Sequence, residues 1–373
     1  MRNRKNINGT SALYTSIMRA LLSLFALIMF LMPGAAASAE VGALYNYSLS
    51  DFAGVVPYSW AGLALDKERD EIYVIYKNNV EVYNDRGMKV YGFGDDPGFS
   101  GVIYDVAVDK DGTIYVLSIE GDSYTVLRCN YRGEPVRRIE FRNMPPEFAG
   151  IMPVRIFYRE GRLYLADLTG SKKVVVTDTD GVFAEGYDIS AILDLKSIED
   201  RPGREKDIAG FSVDHEGNML MTIPTIFRAF IISPDRQVRS FGEAGNLPGK
   251  FSVAAGIASD EDGNYYVADT LKSVIMVFNR DFKFITEFGY RGGRPYNLIA
   301  PRNMVVDNGN IYVSQSRKRG ISVFSIRGIQ QGAAVEAPDK KGGDAGEATS
   351  GRNELTLPAV MTATTLRIRV NPS

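Results

Sequence analysis

The sequence predicts an all-β fold of six similar four-stranded sheets, and three observations carry this prediction. A short aromatic-aliphatic run recurs six times, at intervals of 42 to 56 residues. An alternating strand and a tight turn, most often with an acidic residue and glycine, precede each run, and a third strand follows it. Sheets of short strands at this period are typical of a β-propeller, in which blades stack around an axis and cover each other's apolar faces.

The six runs are interpreted as the second strand of each blade. Their central residues are Tyr73, Tyr115, Tyr164, Leu220, Tyr266 and Tyr312. The strand before the run ends in an acidic residue in five units, at Asp66, Asp109, Asp214, Asp260 and Asp307. Third strands are predicted at 80–83, 124–127, 174–176, 230–232, 275–278 and 321–324, and a fourth strand follows in the first five units.

The sixth unit shows three strands and then becomes polar, so the ring needs a strand from elsewhere. Leu44 to Leu49 alternates between apolar and polar residues near the N-terminus. We expect this segment to pair as the outermost strand of the sixth blade, which leaves no long open edge. The fold class is therefore a six-bladed β-propeller of four-stranded antiparallel blades, closed by an N-terminal strand.

The fifth unit resembles the NHL repeat. The resemblance rests on a glycine-rich crossing from Phe241 to Phe251, the strand from Gly256 to Asp260, and the segment from Gly263 to Asp269. It extends over about residues 60 to 326, and it implies a fold and not an activity. Thr270 to Ser273 stands where the family usually has Asn-His-Arg. No functional role of those family residues carries over to this chain.

The N-terminal 39 residues have the pattern of a cleaved signal peptide. Four cationic residues and an apolar run from Ala20 to Met32 precede a small-residue site at Ala37-Ser38-Ala39. The run is short for a membrane-spanning helix, although a retained anchor is the alternative. We expect an exported bacterial protein, periplasmic, secreted or at the cell surface, with only transient membrane contact. Residues 40–330 form the propeller, 331–353 a flexible linker and 354–373 a tail of unassigned role.

Charge and cysteine content exclude several partners. Without residues 1–39 the chain has 39 Lys and Arg against 45 Asp and Glu, a net charge of −6. The longest basic block is Arg317 to Arg319, so no nucleic-acid partner is expected. The single cysteine, Cys129, follows the apolar alternation of a strand, so packing and not a disulfide stabilises the fold. We expect a monomer.

The inventory of reactive residues favours binding over catalysis. His215 is the only histidine, and it lies in a hairpin turn. One histidine cannot build the several-histidine sites of amidating lyases or streptogramin-lyase-type propellers, which this chain is similar to in outline. Haem-attachment, nucleophile-elbow and phosphate-loop motifs are absent from the sequence, so we predict neither haem nor any other cofactor.

A calcium-dependent lactonase or esterase-like hydrolase with a site on the propeller axis is the alternative function, because it needs only oxygen ligands. The acids at the strand ends are expected instead to bind backbone N–H groups in turns, and the sequence predicts no metal ligand. Asp167 and Asp269 are given the same turn-forming role.

One face of the propeller is the predicted binding surface. Loops from second to third strands and crossings between blades share that face, and there the sequence departs from its own repeat. The crossing 187–207 is expanded, with apolar residues at near-helical spacing. The segment 223–227 is apolar, and it forms either an exposed patch or an inward plug.

The predicted function is a non-catalytic binding or scaffold propeller that engages a protein or extracellular polymer partner. Scattered solvated charge is the alternative interpretation of the cations at this rim. The predicted partner-binding residues are Ile223, Ile226, Phe227, Arg204, Lys272, Arg291, Arg294 and Arg317.

Overall fold

Six four-stranded antiparallel sheets follow one another along the chain in the computed structural model. The structure describes residues 42–95, 98–197, 206–317 and 319–327. The predicted signal peptide, linker and tail lie outside these residues. Within them, no helix has the length and apolar character needed to cross a membrane.

The first three blades come directly from consecutive strands. Blade 1 contains β4 (Gly62–Asp66), β5 (Glu71–Tyr76), β6 (Asn79–Tyr83) and β7 (Lys89–Phe93). Blade 2 contains β8 (Val102–Val108), β9 (Ile114–Glu120), β10 (Ser123–Cys129) and β11 (Pro135–Arg138). Blade 3 contains β12 (Arg155–Arg159), β13 (Arg162–Ala166), β14 (Lys173–Asp178) and β15 (Phe183–Asp188).

The remaining blades follow the same order, with one exception at the ring closure. Blade 4 contains β16 (Gly210–Val213), β17 (Met219–Ile223), β18 (Arg228–Ile232) and β19 (Val238–Phe241). Blade 5 contains β20 (Ala254–Ser259), β21 (Tyr265–Asp269), β22 (Val274–Phe278) and β23 (Phe284–Phe288). Blade 6 contains β24 (Asn303–Asp307), β25 (Asn310–Ser314), β26 (Ile321–Arg327) and, as its outermost strand, β1 (Gly42–Ser48).

Short elements occupy the connections. A small hairpin, β2 (Ser50–Asp51) with β3 (Gly54–Val55), lies between β1 and β4. Helix α1 (Ile189–Ile192) follows blade 3, and 3-10 helices lie at Pro146–Phe148 and Pro224–Ile226.

The ring closes as the sequence predicts. β1 pairs antiparallel with β26, and the Tyr45 ring packs edge-on against Phe324 at 5.7 Å between centroids. Leu49 is fully buried, and its backbone N–H donates to the Ile321 carbonyl at 3.0 Å. The innermost strands contact each other in order, β4 to β8, β12, β16, β20 and β24, and β24 returns to β4.

The core is divided among the interfaces between blades. Each of the six apolar clusters in the described residues combines side chains of two neighbouring blades, the last joining blade 6 to blade 1. The central residues of the second strands belong to these clusters, which explains why they recur as aromatic-aliphatic runs. A single blade cannot cover both of its faces, so burial requires the complete ring.

The tight turns between first and second strands contain glycine where the backbone needs it. Gly112, Gly217 and Gly263 have φ values of 83°, 81° and 81°, in the left-handed region that glycine adopts without a steric penalty. Acid-glycine pairs in the sequence therefore marked these hairpins correctly.

Candidate functional site

Strand direction gives the propeller two chemically different faces. Because neighbouring strands are antiparallel, the loops joining second to third strands and the crossings between blades emerge at one end, here called the loop face. The hairpins joining first to second strands and the turns joining third to fourth strands emerge at the other end, here called the hairpin face.

Exposed large apolar side chains concentrate on the loop face. Ten of the sixteen such residues in the described part of the chain lie in its loops or at the adjoining strand ends, and two, Met88 and Tyr131, lie in third-to-fourth-strand turns of the hairpin face. The other four belong to the outermost strands. The ten residues are Phe52, Val55, Trp60, Val102, Tyr104, Leu247, Val253, Leu271, Tyr290 and Tyr296.

Trp60 is exposed and yet rigidly held. Its backbone N–H donates to the Gln315 carbonyl and its indole N–H donates to the Ala300 carbonyl, both at 3.0 Å. The Arg302 guanidinium lies 5.7 Å from the centroid of the indole ring, in cation-π geometry. A large aromatic surface fixed before binding loses little conformational entropy when a partner docks.

Asp269 organises two loops of blade 5. One carboxylate oxygen accepts the N–H groups of Leu271 and Lys272 at 3.1 and 2.9 Å. The other accepts those of Ser252 and Val253 at 2.6 and 3.0 Å. The predicted turn-forming role of Asp269 is confirmed, and it presents the apolar side chains at 253 and 271 from adjoining loops.

Asp167 has the equivalent role in blade 3. Its carboxylate accepts the backbone N–H of Gly170 and both the N–H and the hydroxyl of Ser171, all within 2.9 Å. Burial alone would raise the pKa of Asp167, but these hydrogen bonds hold it below its usual value. The turn-forming prediction holds here too.

The sequence predicts Lys272 in an exposed cationic rim, but the structure surrounds its ammonium with acceptor groups. Its ammonium donates to the carbonyls of Leu247 and Lys250 at 3.1 and 3.3 Å and pairs with Glu287 at 3.0 Å. Both side chains of the ion pair are largely buried. Lys272 therefore fixes the crossing that carries Leu247, and its charge is already neutralised.

The other predicted cations differ in how they are held. Arg291, Arg294 and Arg317 are exposed on the loop face. Arg294 donates to the Tyr296 hydroxyl at 2.5 Å and lies over the same ring. Arg204 lies outside the described residues. A partner-binding role for these arginines stays a prediction.

The apolar residues of 187–197 and 223–227 fold inward, and residues 198–205 of the predicted crossing lie outside the described residues. Ile223 is fully buried between blades 3 and 4, and Ile226 and Phe227 are half-buried against neighbouring clusters. A short helix forms as expected, at α1, and the apolar residues around it join the same cluster. Of the two alternatives for 223–227, the structure has the inward plug, which leaves Ile223 inaccessible to a partner.

The strand-end acids on the hairpin face form turns. In the first, second, fourth and fifth blades a carboxylate oxygen accepts N–H groups of its own hairpin, at 2.8 to 3.1 Å. Asp307 is the exception, because it pairs with Lys67 of blade 1 at 3.3 Å. Burial raises the pKa of Asp307, and the Lys67 ammonium opposes the rise.

Asp66, Asp109, Asp214 and Asp260 accept hydrogen bonds from their own turns. Across the described residues no three His, Cys, Asp or Glu side chains are grouped to hold a metal ion. His215 is partly exposed in its turn, with its carbonyl accepting from Arg159 at 2.6 Å.

The hairpin face also surrounds an axial cavity of about 280 Å³, lined by all six innermost strands. Asp105 and Arg155 lie at its inner end, where Arg155 Nε donates to Asp105 Oδ2 at 2.8 Å. Sequence reasoning missed this pair and Trp60. The signals were an acid inside the apolar run 102–108 and the single tryptophan just before the first innermost strand.

Comparisons with known proteins support the fold. No family model matches the chain. A curated relative, protein brain tumor of Drosophila melanogaster, is 29% identical over 100 residues, covering 24% of this chain and 10% of that protein. The chain thus spans about a tenth of the length of the relative it matches.

Solved structures resemble the chain at low identity. A Bacteroides thetaiotaomicron protein of unknown function has a TM-score of 0.55 at 17% identity, with 77% of each chain covered. A Xanthomonas campestris gluconolactonase has a TM-score of 0.50 at 13% identity, covering 79% of this chain and 93% of the other. The PQQ-bound aldose sugar dehydrogenase of Streptomyces coelicolor also scores 0.50 at 13% identity, covering 78% and 99%. At these identities the likeness shows the propeller fold, a fold that both binding proteins and enzymes use.

Proposed function

We propose that this chain is a non-catalytic binding propeller that engages a protein or extracellular polymer through its loop face. The observation that supports the proposal is the uneven distribution of exposed large apolar side chains in the described residues, ten on the loop face against two in the turns of the hairpin face. A face that combines fixed aromatic groups with arginines has the composition of an interface.

The apolar centre of the proposed contact surface differs from the one predicted from the sequence. Trp60, Tyr104, Val253 and Leu271 supply the apolar contacts that the inward-folded segment 223–227 cannot. Arg291, Arg294 and Arg317 remain proposed as its cationic members. Their exposure allows ion pairs with an acidic group at the rim, where such pairs contribute more to orientation than to affinity.

Membership of the NHL-repeat type and export from a bacterial cell are part of the same proposal. The NHL-like residues of the fifth unit support the first, and the pattern of residues 1–39 supports the second. Fractionation of the native host, with N-terminal sequencing of the mature chain, tests export. A chain that begins at Glu40 outside the cytoplasm is expected, and an uncleaved cytoplasmic chain would contradict it.

A matched pair of substitutions tests the contact surface. Leu271 on the loop face and Val136 on the outer strand β11 are 68% and 65% exposed, so Leu271→Asp and Val136→Asp make the same change on different surfaces. We expect Leu271→Asp to lower partner recovery from envelope extracts by about tenfold or more, as for a residue at the centre of an interface. Val136→Asp should leave recovery unchanged, and equal recovery for both variants would contradict the proposal.

The alternative hydrolase has its own test. Stoichiometric calcium in the purified protein, together with turnover of lactones or esters, would overturn the binding function. An inert protein whose stability does not respond to calcium is the expected result.

A further inference from the structure

The axial cavity contains polar groups that the fold does not use. Arg159 Nε, Ser212 Oγ and His215 Nδ1 are buried and have no hydrogen-bond partner in the described part of the chain. All three residues line the cavity. Because a buried donor without a partner costs free energy, such groups indicate a missing ligand or solvent contact.

The inner end of the cavity supplies further donors. Arg155 uses Nε for Asp105, while its terminal nitrogens have no hydrogen-bond partner in the residues described. Asp105 is fully buried and also accepts the Ile156 N–H at 3.0 Å, so the guanidinium is fixed in orientation. Two parallel N–H groups on a fixed guanidinium match a carboxylate.

The mouth of the cavity has the opposite charge. Its hairpin residues contribute seven carboxylates and three Lys or Arg side chains, a net charge of −4. Glu68, Glu160 and Glu261 are exposed there. A mouth of this sign attracts cations and opposes the entry of a simple anion.

The two ends are separated along the strands. Arg155 precedes Arg159 by four residues on β12, which places it about 13 Å deeper. The walls between are apolar and aromatic, and they include Val106, Phe157 and Tyr158. A ligand that satisfies both ends must therefore be elongated, with one negative and one positive terminus.

We propose that the axial cavity binds an elongated zwitterion of the short-peptide class, with its carboxylate on Arg155 and its ammonium at the acidic mouth. Three extended residues span about 10 Å, which fits the depth of the cavity. The volume of about 280 Å³ is at the lower limit of small-ligand pockets, so only small side chains are accommodated. This site lies on the hairpin face, away from the proposed partner surface, and it does not depend on that proposal.

Calorimetry with three probes tests the charge requirement. Trialanine carries both termini, N-acetyltrialanine keeps only the negative charge, and trialanine amide keeps only the positive one. We expect saturable binding of trialanine below about 10 mM, and affinities at least about tenfold weaker for both capped peptides. No binding of any probe at that concentration, or equal binding of a capped form, would overturn the proposal.

Variants test the assigned residues. Arg155→Met alone would leave Asp105 unpaired, so the double variant Asp105→Leu/Arg155→Met removes the whole buried pair and is expected to remain folded by circular dichroism. It should lose trialanine binding. The triple variant Glu68→Gln, Glu160→Gln, Glu261→Gln keeps the inner end, and it should weaken binding at low salt by about threefold or more.

Arg86→Met, in the exposed turn before β7 and outside the cavity lining, is the matched control and should bind trialanine as the wild type does. A folded double variant that retains wild-type affinity would contradict the assignment of the carboxylate to Arg155. If the double variant does not fold, Arg155→Lys replaces it, because it keeps a cation beside Asp105 and removes the two parallel N–H groups; undiminished trialanine binding by that variant would contradict the assignment equally.

Discussion

Asp269 Oδ1 accepts the backbone N–H of Leu271 at 3.1 Å, so a fully buried carboxylate fixes the position of a strongly exposed apolar side chain. The same carboxylate holds the crossing at Val253. A repeated turn acid of the fold thereby also shapes the loop face. The link between stability and binding at this residue leads to the first prediction.

Asp269→Asn is expected to destabilise the fold by about 2 to 4 kcal/mol, because an amide group replaces a buried carboxylate oxygen that accepts two backbone N–H groups. Urea unfolding measures the change. Asp262→Asn, at an exposed hairpin position whose carboxylate accepts no hydrogen bond in the described residues, is the control and should change stability by less than about 0.5 kcal/mol. Equal effects of the two variants would contradict the role given to Asp269.

Ring closure by the N-terminal segment predicts that two leucines contribute very differently to the free energy of unfolding. Leu49 is fully buried against blade 1, whereas Leu44 on β1 is half-exposed. Leu49→Ala should lower the free energy of unfolding by about 2 to 4 kcal/mol, and Leu44→Ala by less than about 1 kcal/mol. Urea titration followed by tryptophan fluorescence distinguishes them, and a stable Leu49→Ala protein would show that the ring does not need this segment.

The buried pair at the axis predicts a pH effect with a definite sign. Burial raises the pKa of Asp105, and the Arg155 guanidinium opposes the rise. In Arg155→Met that opposition is lost, so the folded-state pKa rises further above the unfolded one. Folding then takes up a proton, and the variant gains stability relative to wild type as the pH falls through this interval.

We expect Arg155→Met to be about 3 to 5 kcal/mol less stable than wild type at pH 7 and to recover part of the loss towards about pH 5. Chemical unfolding of both proteins between pH 7 and about pH 5 measures the difference in stability. Asp105→Asn/Arg155→Met, which has no titrating group at the site, should not show the recovery. A deficit that stays constant with pH in Arg155→Met would contradict the effect assigned to the Arg155 guanidinium on the pKa of Asp105.

The burial of Cys129 predicts that its thiol reacts slowly with labelling reagents. The side chain is fully buried, and burial raises the pKa of its thiol to about 12. Since the thiolate is the reactive form, labelling by a disulfide reagent at pH 8 should be absent in the folded protein and complete in urea. Rapid labelling of the native chain would place Cys129 at an accessible position and contradict the packing of blade 2.

The repeat allowed the architecture to be predicted, because each blade reuses one pattern of burial. The runs centred on residues such as Tyr115 and Tyr266 must be apolar wherever a second strand lies between two neighbours, and Leu44 to Leu49 supplied the missing strand. The turn-forming role of the acids was equally predictable, because Asp109 and Asp269 accept hydrogen bonds from backbone groups only two residues away.

The surface was less predictable, because it depends on contacts between distant segments. Whether Ile223 faces solvent is decided by its packing against blade 3, and the charge of Lys272 is neutralised by Glu287, fifteen residues later. Trp60 and Arg155 acquire their roles only when the ring brings blades 6 and 2 beside them. No local pattern carries that information.

Site-specific photo-crosslinking in the native host tests most directly whether the loop face is the binding surface. Benzoylphenylalanine would replace Leu271 on the loop face, Lys110 on the hairpin face and Val136 on the outer strand, one position at a time. The account predicts discrete high-mass adducts from position 271 and none from positions 110 and 136. Adducts from position 110 together with none from position 271 would contradict it.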